Sequence, residues 1–355
     1  MVVLYILIAI LIFSLIILIH EFGHFVVAKL CGIKVNEFSM GMGPKIISWG
    51  KGETKYSWRA FPIGGFVAME GEDDDSNDPR AFRHKKVWQR LLVVLAGAFM
   101  NLVLGFVLLV IVSSFSDGLA TTTVAEFDKS YTEDNAPSHV SGLEAGDKIL
   151  RVNGMRVYTD TDIAYQFGVD EDCVFEMTVL RNNQKVNLPA VAFDYDTNED
   201  GTKNLHIDFT VYGENPTFGS VISYSSRKFV SVARMIWLSL ADLVKGRYSI
   251  NDLSGPVGIV GAIGKVVGTV ENGINIGELL ANLSSFVVFI TINVGIFNLL
   301  PIPALDGARA VFLIIEGIRR KPLKPEHEGM VHLIGMAALL ILMAIVTVSD
   351  VMKLF

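Results

Sequence analysis

The 355-residue sequence predicts an α-helical polytopic membrane protein with four transmembrane helices, a glycine-rich β region at the membrane and one small soluble domain. Three observations carry that expectation. Hydrophobic residues make up 51% of the chain and are gathered in long blocks rather than spread evenly. Between the second and third blocks, Asp117 to Glu214 holds 19 acidic and 7 basic residues, a composition suited to water. Basic residues also crowd one end of each apolar run, the asymmetry that orients membrane helices. The net charge of -7 and the absence of a basic stripe exclude a nucleic-acid partner.

The first block, residues 1–32, contains an unusual set of polar groups. From Val2 to Ala28 the polar side chains are Tyr5, Ser14, His20, Glu21 and His24. The run is long enough to cross a bilayer, which takes roughly 20 apolar residues. Ionisable groups inside such a run are costly, so they point to a function. In His20-Glu21-Phe22-Gly23-His24 the two imidazoles are four residues apart and project from one helix face, and Glu21 can reach a water held by a metal bound to both. This is the zinc-hydrolase arrangement placed within a membrane. The alternative is a pair of histidines bonded to helix backbone or to each other. A signal peptide is disfavoured, because its apolar core of about 7–15 residues ends in small residues at a cleavage site. Lys29, Lys34 and Lys45 follow the run and argue for a cytoplasmic exit, with the N-terminus outside.

Residues 33–90 form the β region. Phe38 to Met69 is broken by Gly41, Gly43, Gly50, Gly52, Gly64 and Gly65, which predicts short strands with tight turns. Trp49, Trp58, Phe61 and Phe66 suit an interface or a protein-lined cavity within the membrane, and a plain cytoplasmic hairpin remains open. Glu70 to Asp78 is acidic. Arg80, Arg83, Lys85, Lys86 and Arg90 then lead into a second transmembrane helix over 91–113, running outward. Its Gly97, Ala98, Asn101 and Gly105 allow close packing, with Asn101 expected as structural glue between helices. His84 is expected to be solvated.

Residues 116–212 read as the soluble domain. Gly142-Leu143-Glu144-Ala145-Gly146-Asp147-Lys148-Ile149-Leu150-Arg151-Val152-Asn153-Gly154 resembles the signature of PDZ domains, with Ile149, Leu150 and Val152 on a strand. Arg181-Asn182-Asn183-Gln184 resembles the turn of a later PDZ hairpin, between Phe175–Leu180 and Lys185–Leu188. Such domains bind peptides by adding a strand. The expected fold therefore has a membrane-associated β-hairpin and one extracytoplasmic PDZ domain. His139 and His206 have no ligand spacing and read as surface or satisfied residues. Cys31 and Cys173 are too few for a disulfide framework and are expected as free thiols.

Residues 218–270 are expected to form an amphipathic helix on the outer membrane surface or against the bundle, then a short glycine-punctuated segment around Ser254-Gly255-Pro256 with no assigned role. A third transmembrane helix spans 276–306 and ends in Asn298-Leu299-Leu300-Pro301-Ile302-Pro303-Ala304-Leu305-Asp306-Gly307. Its two prolines break the helix and free backbone groups where it lines a polar site. Arg309, Arg319, Arg320, Lys321 and Lys324 place this end in the cytoplasm, on the side of His20 and His24. A fourth helix covers 329–349. His327 and His332, five residues apart, are poorly spaced for joint ligation and read as solvated or at the interface.

Taken together, these residues resemble the intramembrane zinc metalloproteases of the site-2 protease type, in the bacterial branch with a PDZ insert, the regulator of sigma-E protease type. The similarity covers nearly the whole chain. It implies that His20, His24 and Asp306 are the zinc ligands, that Glu21 is the catalytic base, that Asn298 holds the substrate backbone, and that Phe38–Met69 is a membrane-reentrant β-hairpin on which the unwound substrate forms a strand. It also implies a bacterial inner-membrane enzyme with its active site toward the cytoplasm. The expected substrates are pre-trimmed single-span proteins, anti-sigma factors or signal-peptide remnants, and the implied partners are a site-1 type protease acting first and the lipid bilayer. A non-catalytic PDZ membrane adaptor is the competing class. It predicts a degraded motif, against which Glu21 stands.

Overall fold

Length and apolar composition alone set apart four helices able to cross a membrane among the described residues: Val3–Leu30, Val87–Ser114, Leu279–Asn298 and Glu328–Met352. The structure, a computed structural model, describes residues 2–72, 76–128, 135–170, 172–197, 203–247, 254–268, 276–321 and 325–353. In chain order its elements are α1 (Val2–Leu30), β1 (Val35–Trp49), β2 (Lys55–Met69), α2 (Val87–Ser114), β3 (Leu119–Phe127), α3 (Pro137–Val140), β4 (Lys148–Val152), β5 (Met155–Arg156), α4 (Asp160–Val169), β6 (Val174–Arg181), β7 (Gln184–Ala192), β8 (Tyr195–Thr197), β9 (Lys203–Leu205), β10 (Phe209–Glu214), α5 (Phe218–Val244), α6 (Pro256–Gly268), α7 (Ile276–Asn298), α8 (Asp306–Arg319) and α9 (Pro325–Met352). They form two units, residues 1–108 with 240–355, and residues 109–239.

In the first unit, α1 stops where Gly32 adopts φ 67°, and Ile33 N–H donates to Ala28 C=O while Gly32 N–H donates to Lys29 C=O. That pair of bonds satisfies the last carbonyls of the helix. The β region that follows is more folded than two plain strands. The first part of β1 pairs on one side with the end of β2 (Ser39 with Phe66) and on the other with its beginning (Ser39 with Ser57), and the second part of β1 pairs with that beginning again (Trp49 with Tyr56). Four rungs result, in the order 45–49, 55–59, 37–40, 65–69. Gly41 and Gly43, at φ 82° and 85°, make the bend; a Cβ on Gly41 would lie 2.4 Å from Phe61 C=O. The rung at 65–69 is an outer edge.

Several expected boundaries shift. The second helix begins at Val87 rather than residue 91, because Arg90 turns inward to form a two-pronged ion pair with Glu316 of α8. The expected single helix over 276–306 is two: α7 ends at Asn298, and Asp306 opens α8. Pro301 and Pro303 lack N–H donors and their rings exclude the preceding turn, so the helix cannot continue. The fourth helix runs longer than 329–349, since Pro325 is tolerated at a first helical position. Ser254-Gly255-Pro256 acquires a structural role: the N–H groups of Gly255 and Gly258 both donate to the buried Asp350 carboxylate of α9 at 2.8 Å, fixing the start of α6. Leu253 and part of the acidic run after Glu70 lie outside the described residues.

The second unit holds an antiparallel sheet in the order β10-β3-β4-β6-β7, with β5 on β4. Leu143, Ile149, Val152, Phe175, Met177 and Val179 are fully buried in its core. Ile149 and Val152 lie on β4 as expected, and Asn182-Asn183, at φ 47° and 60°, make the two-residue turn between β6 and β7. Arg181 pins the 142–147 loop, donating to both oxygens of the fully buried Asp147 at 2.8 and 2.7 Å and to Gly142 C=O at 2.7 Å. The polar stripe of α5 packs on the start of α4: Lys228 bonds Asp160 at 3.0 Å, Ser231 donates to Asp162 at 2.8 Å and Arg234 donates to Asp162 at 2.5 Å. Neither Cys31 nor Cys173 is in a disulfide. His139 donates to Leu143 C=O at 2.8 Å, and His206 pairs with Asp196.

Removing the Arg181 guanidinium leaves Asp147 buried without its counter-ion, a loss of about 3–5 kcal/mol. Arg181→Met is therefore expected to expose buried Cys173 at clearly lower urea, measured by thiol labelling in a Cys31→Ser background, with labelling unchanged if the ion pair is dispensable.

Candidate metal centre

The geometry starts from α1, which crosses as one unbroken helix and so presents His20 and His24 on one face. Their Nε2 atoms lie 3.2 Å apart. Asp306, first residue of α8, completes a triangle: its Oδ2 is 3.1 Å from His20 Nε2 and 3.4 Å from His24 Nε2. Donors about 2.0–2.1 Å from a tetrahedral zinc stand roughly 3.3–3.4 Å from each other. The triangle therefore has the dimensions of three zinc ligands. Asp306 Oδ2 is also buried and receives no hydrogen bond among the described residues, as a ligand atom aimed at a cation would be. These are the three residues that could hold a metal ion among the described residues.

Helix α2 supplies the floor. Val93 C=O accepts from His24 Nδ1 at 2.8 Å, which puts the ring proton on Nδ1 and leaves the Nε2 lone pair free. One turn on, Gly97 is bare of necessity, because a Cβ there would lie 2.3 Å from His24 Nε2 and 2.7 Å from His20 Cε1. A further turn on, the buried Asn101 amide lies 3.3 Å from His20 Nδ1. Gly23 of α1 lets the two helices meet this closely, since a Cβ on it would be 2.4 Å from Ala96 C=O. Asn101, expected as glue, thus touches a predicted ligand; its spacing of four from Gly97 was the available signal.

Asp306 is held by a tight loop. A Cβ on Gly307 would fall 2.1 Å from Leu300 C=O, so the 299–305 backbone folds directly against the start of α8. Ala304, at φ 79°, donates its N–H to His332 Nδ1 of α9 at 3.0 Å. Gly335, one turn later, leaves room for Pro303. His332, expected as solvated or at the interface, is thus a loop-holding residue, and nothing in its spacing to His327 signalled this. The side chain of His327 lies outside the described residues. His84 is exposed and bonds Asp78 C=O.

The three donors and Glu21 line one cavity of about 620 Å³, whose far wall is the run Phe66–Glu72 at the end of β2. Gly65 brings that strand against α1, where a Cβ would lie 3.1 Å from Glu21 Cγ. Arg309 of α8 pairs with Glu72 across the cavity. Just beyond the strand, hydrogen bonds from Ser76, Asn36 and Lys34 hold Glu70 down to a pKa of about 2, so it stays ionised and anchors the end of β2. Asn298 ends α7, before the Pro-rich loop, and is not among the residues lining this cavity.

The chain matches the description of peptidase family M50 over residues 8–342. It belongs to peptidase family M50. Among its relatives is a protein of Clostridium acetobutylicum named provisionally as a zinc metalloprotease, 39% identical over 350 residues that cover 98% of this chain and 97% of the relative. The regulator of sigma-W protease RasP of Bacillus subtilis is 30% identical over an alignment of 430 residues, covering 98% of each chain. Zinc metalloprotease RasP of Bacillus licheniformis is 31% identical with the same coverage. Membership of M50, with four membrane-length apolar helices, makes this a multi-pass membrane peptidase. It agrees with the resemblance drawn from His20–His24 and Asn298–Gly307.

Because Gly97 has no room for a methyl group, Gly97→Ala forces the imidazoles apart at about 1–3 kcal/mol. Zinc affinity of the purified variant is expected to fall about ten-fold or more by chelator competition. Wild-type affinity would show that the helices separate freely.

Proposed function

We propose that the protein is an intramembrane zinc metalloendopeptidase of the site-2 type, acting in regulated intramembrane proteolysis with His20, His24 and Asp306 as metal ligands and Glu21 as general base. The observation that carries this reading is the triangle of Nε2, Nε2 and Oδ2 atoms, 3.1–3.4 Å on a side, in the cavity that Glu21 also lines. Zinc, when bound, polarises the scissile carbonyl and lowers the pKa of its water to about 7. Glu21 takes the proton of the attacking water and returns it to the leaving amine.

An α-helical substrate hides its carbonyls in its own hydrogen bonds, so it has to unwind before attack. The outer rung 65–69 pairs with β1 on one side, and among the described residues no strand pairs with its other side. That edge, continuous with the cavity wall, suits addition of an extended substrate strand beside Glu21. Exposed Trp49, Trp58, Phe61, Ile46 and Ile47 favour the re-entrant placement of the hairpin over a cytoplasmic one. Asn298, by family resemblance, holds the substrate backbone from the end of α7.

The basic flanks of the apolar runs support a bacterial cell-membrane orientation with the metal toward the cytoplasm and the N-terminus and the soluble domain outside. The five-stranded sheet path, the Gly142–Gly154 stretch leading into β4 and the Asn182-Asn183 turn support reading that unit as a PDZ domain. The name of the Bacillus subtilis relative ties that protein to sigma-W regulation. By that likeness the substrates here are single-span membrane proteins such as anti-sigma factors or signal-peptide remnants, trimmed outside by an earlier protease.

Three variants test this reading. Glu21→Gln is expected to keep stoichiometric zinc while cleavage of a transmembrane substrate falls by about 10²–10⁴-fold or more, whereas Asp306→Ala is expected to lose zinc as well. Near wild-type cleavage by the first, or tightly held zinc in the second, would remove those assignments. For the second unit, gating and recruitment oppose each other when residues 116–212 are replaced by a flexible linker and both full-length and pre-trimmed substrates are offered. Gating expects trimmed substrate still cut and full-length substrate newly cut; loss of trimmed-substrate cleavage by a zinc-loaded variant would favour recruitment.

A further inference from the structure

We infer that Asn101 is a positioning residue that fixes the metal-binding tautomer of His20, with its side-chain carbonyl, rather than its NH2, turned to the ring. The inference rests on the proposed metal site. Both histidines converge on Asp306 through Nε2, so both need the Nε2 lone pair free and the ring proton on Nδ1. For His24 this is settled by the partner: Val93 C=O can only accept, so Nδ1 donates. For His20 the partner at Nδ1 is the Asn101 amide, with Nδ2 facing the ring at 3.3 Å. In that orientation two N–H groups would oppose each other whenever His20 offers Nε2 to a metal.

A second observation points the same way. Asn101 is fully buried, and its Oδ1 has no hydrogen-bond partner. An amide's oxygen and nitrogen are nearly equal in shape, and the hydrogen-bond network decides between them. Half a turn of the amide puts Oδ1 against His20 Nδ1–H, giving the carbonyl a donor and the ring an acceptor. Buried in apolar surroundings, an unpaired carbonyl is costly, so the turned orientation is the stable one. Along one face of α2, Val93, Gly97 and Asn101 then have one task each: an acceptor for His24, space for both rings, and an acceptor for His20. A role as helix glue would need only some polar contact; this role needs an acceptor.

The donor or acceptor sense is testable, because aspartate keeps the acceptor and removes the NH2, and leucine keeps the bulk and removes both. Full-length wild type, Asn101→Asp and Asn101→Leu are purified in detergent, zinc dissociation constants are measured by chelator competition, and the visible absorption of the cobalt-substituted proteins is recorded. Loss of such a partner usually weakens metal binding by about 10–100-fold. Asn101→Leu is expected to bind zinc about 10–100-fold more weakly with an altered cobalt spectrum, and Asn101→Asp to stay within a few-fold of wild type with the wild-type spectrum. Wild-type affinity in Asn101→Leu, or an Asn101→Asp variant as weak as Asn101→Leu, would overturn the inference. Urea denaturation of the metal-free proteins separates folding from binding: if Asn101→Leu loses zinc only in proportion to lost apo stability, Asn101 is glue and the inference fails. Failure of wild type itself to bind zinc would overturn both the inference and the site reading, whereas a wild-type Asn101→Leu would overturn the inference alone.

Discussion

Three hydrogen-bond acceptors, two imidazole nitrogens and a carboxylate oxygen, point at one another across 3.1–3.4 Å, and the rest of the membrane unit is arranged around tolerating that convergence. With both rings neutral and their Nε2 lone pairs turned inward, such atoms repel unless a cation lies between them. Holding them takes rigid elements on every side. One helix carries both imidazoles, a second carries the acceptor and the bare glycine that receive them, and a short loop locked by Gly307 and His332 sets the depth of Asp306. The two-pronged Arg90–Glu316 pair ties α2 to α8 and so joins the floor of the site to its third side.

The β region meets a second requirement, an open strand edge inside a wall of helices. A plain two-stranded hairpin has two long edges; folding each strand back on itself leaves one rung, 65–69, against the cavity and leaves Trp49 and Trp58 of the others exposed. Glycine at 41 and 43 makes the fold possible, and glycine at 65 lets the edge approach Glu21. Open edges invite wrong pairing in most proteins. Here the edge runs along the cavity that His20, Glu21, His24 and Asp306 line.

The second unit has its own internal support. Its apolar core is closed around Phe175 and Met177, its 142–147 loop is pinned by Arg181, and the polar stripe of α5 engages Asp160 and Asp162 at the start of α4. An amphipathic pattern like that of α5 reads equally as a membrane-surface helix, because hydrophobic periodicity reports that a face is buried but not against what. The same ambiguity hid α8, a 14-residue helix whose opening residue is Asp306, behind two prolines that seemed only to end a membrane span.

By itself the sequence determined the class of the protein and the chemistry at its centre. Four apolar runs, the His20–His24 spacing and the PDZ-like glycine pattern are local signals, each set by helix or turn geometry over a few residues, and they survive folding unchanged. Distances between elements are another matter. That Asn101 meets His20, 81 positions away, that His332 holds Ala304, 28 positions away, and that β1 pairs twice with β2 depend on residues well separated along the chain. No periodicity encodes such contacts. They were decided only when close packing set α1 against α2 at Gly23 and Gly97 and set α9 against Pro303 at Gly335.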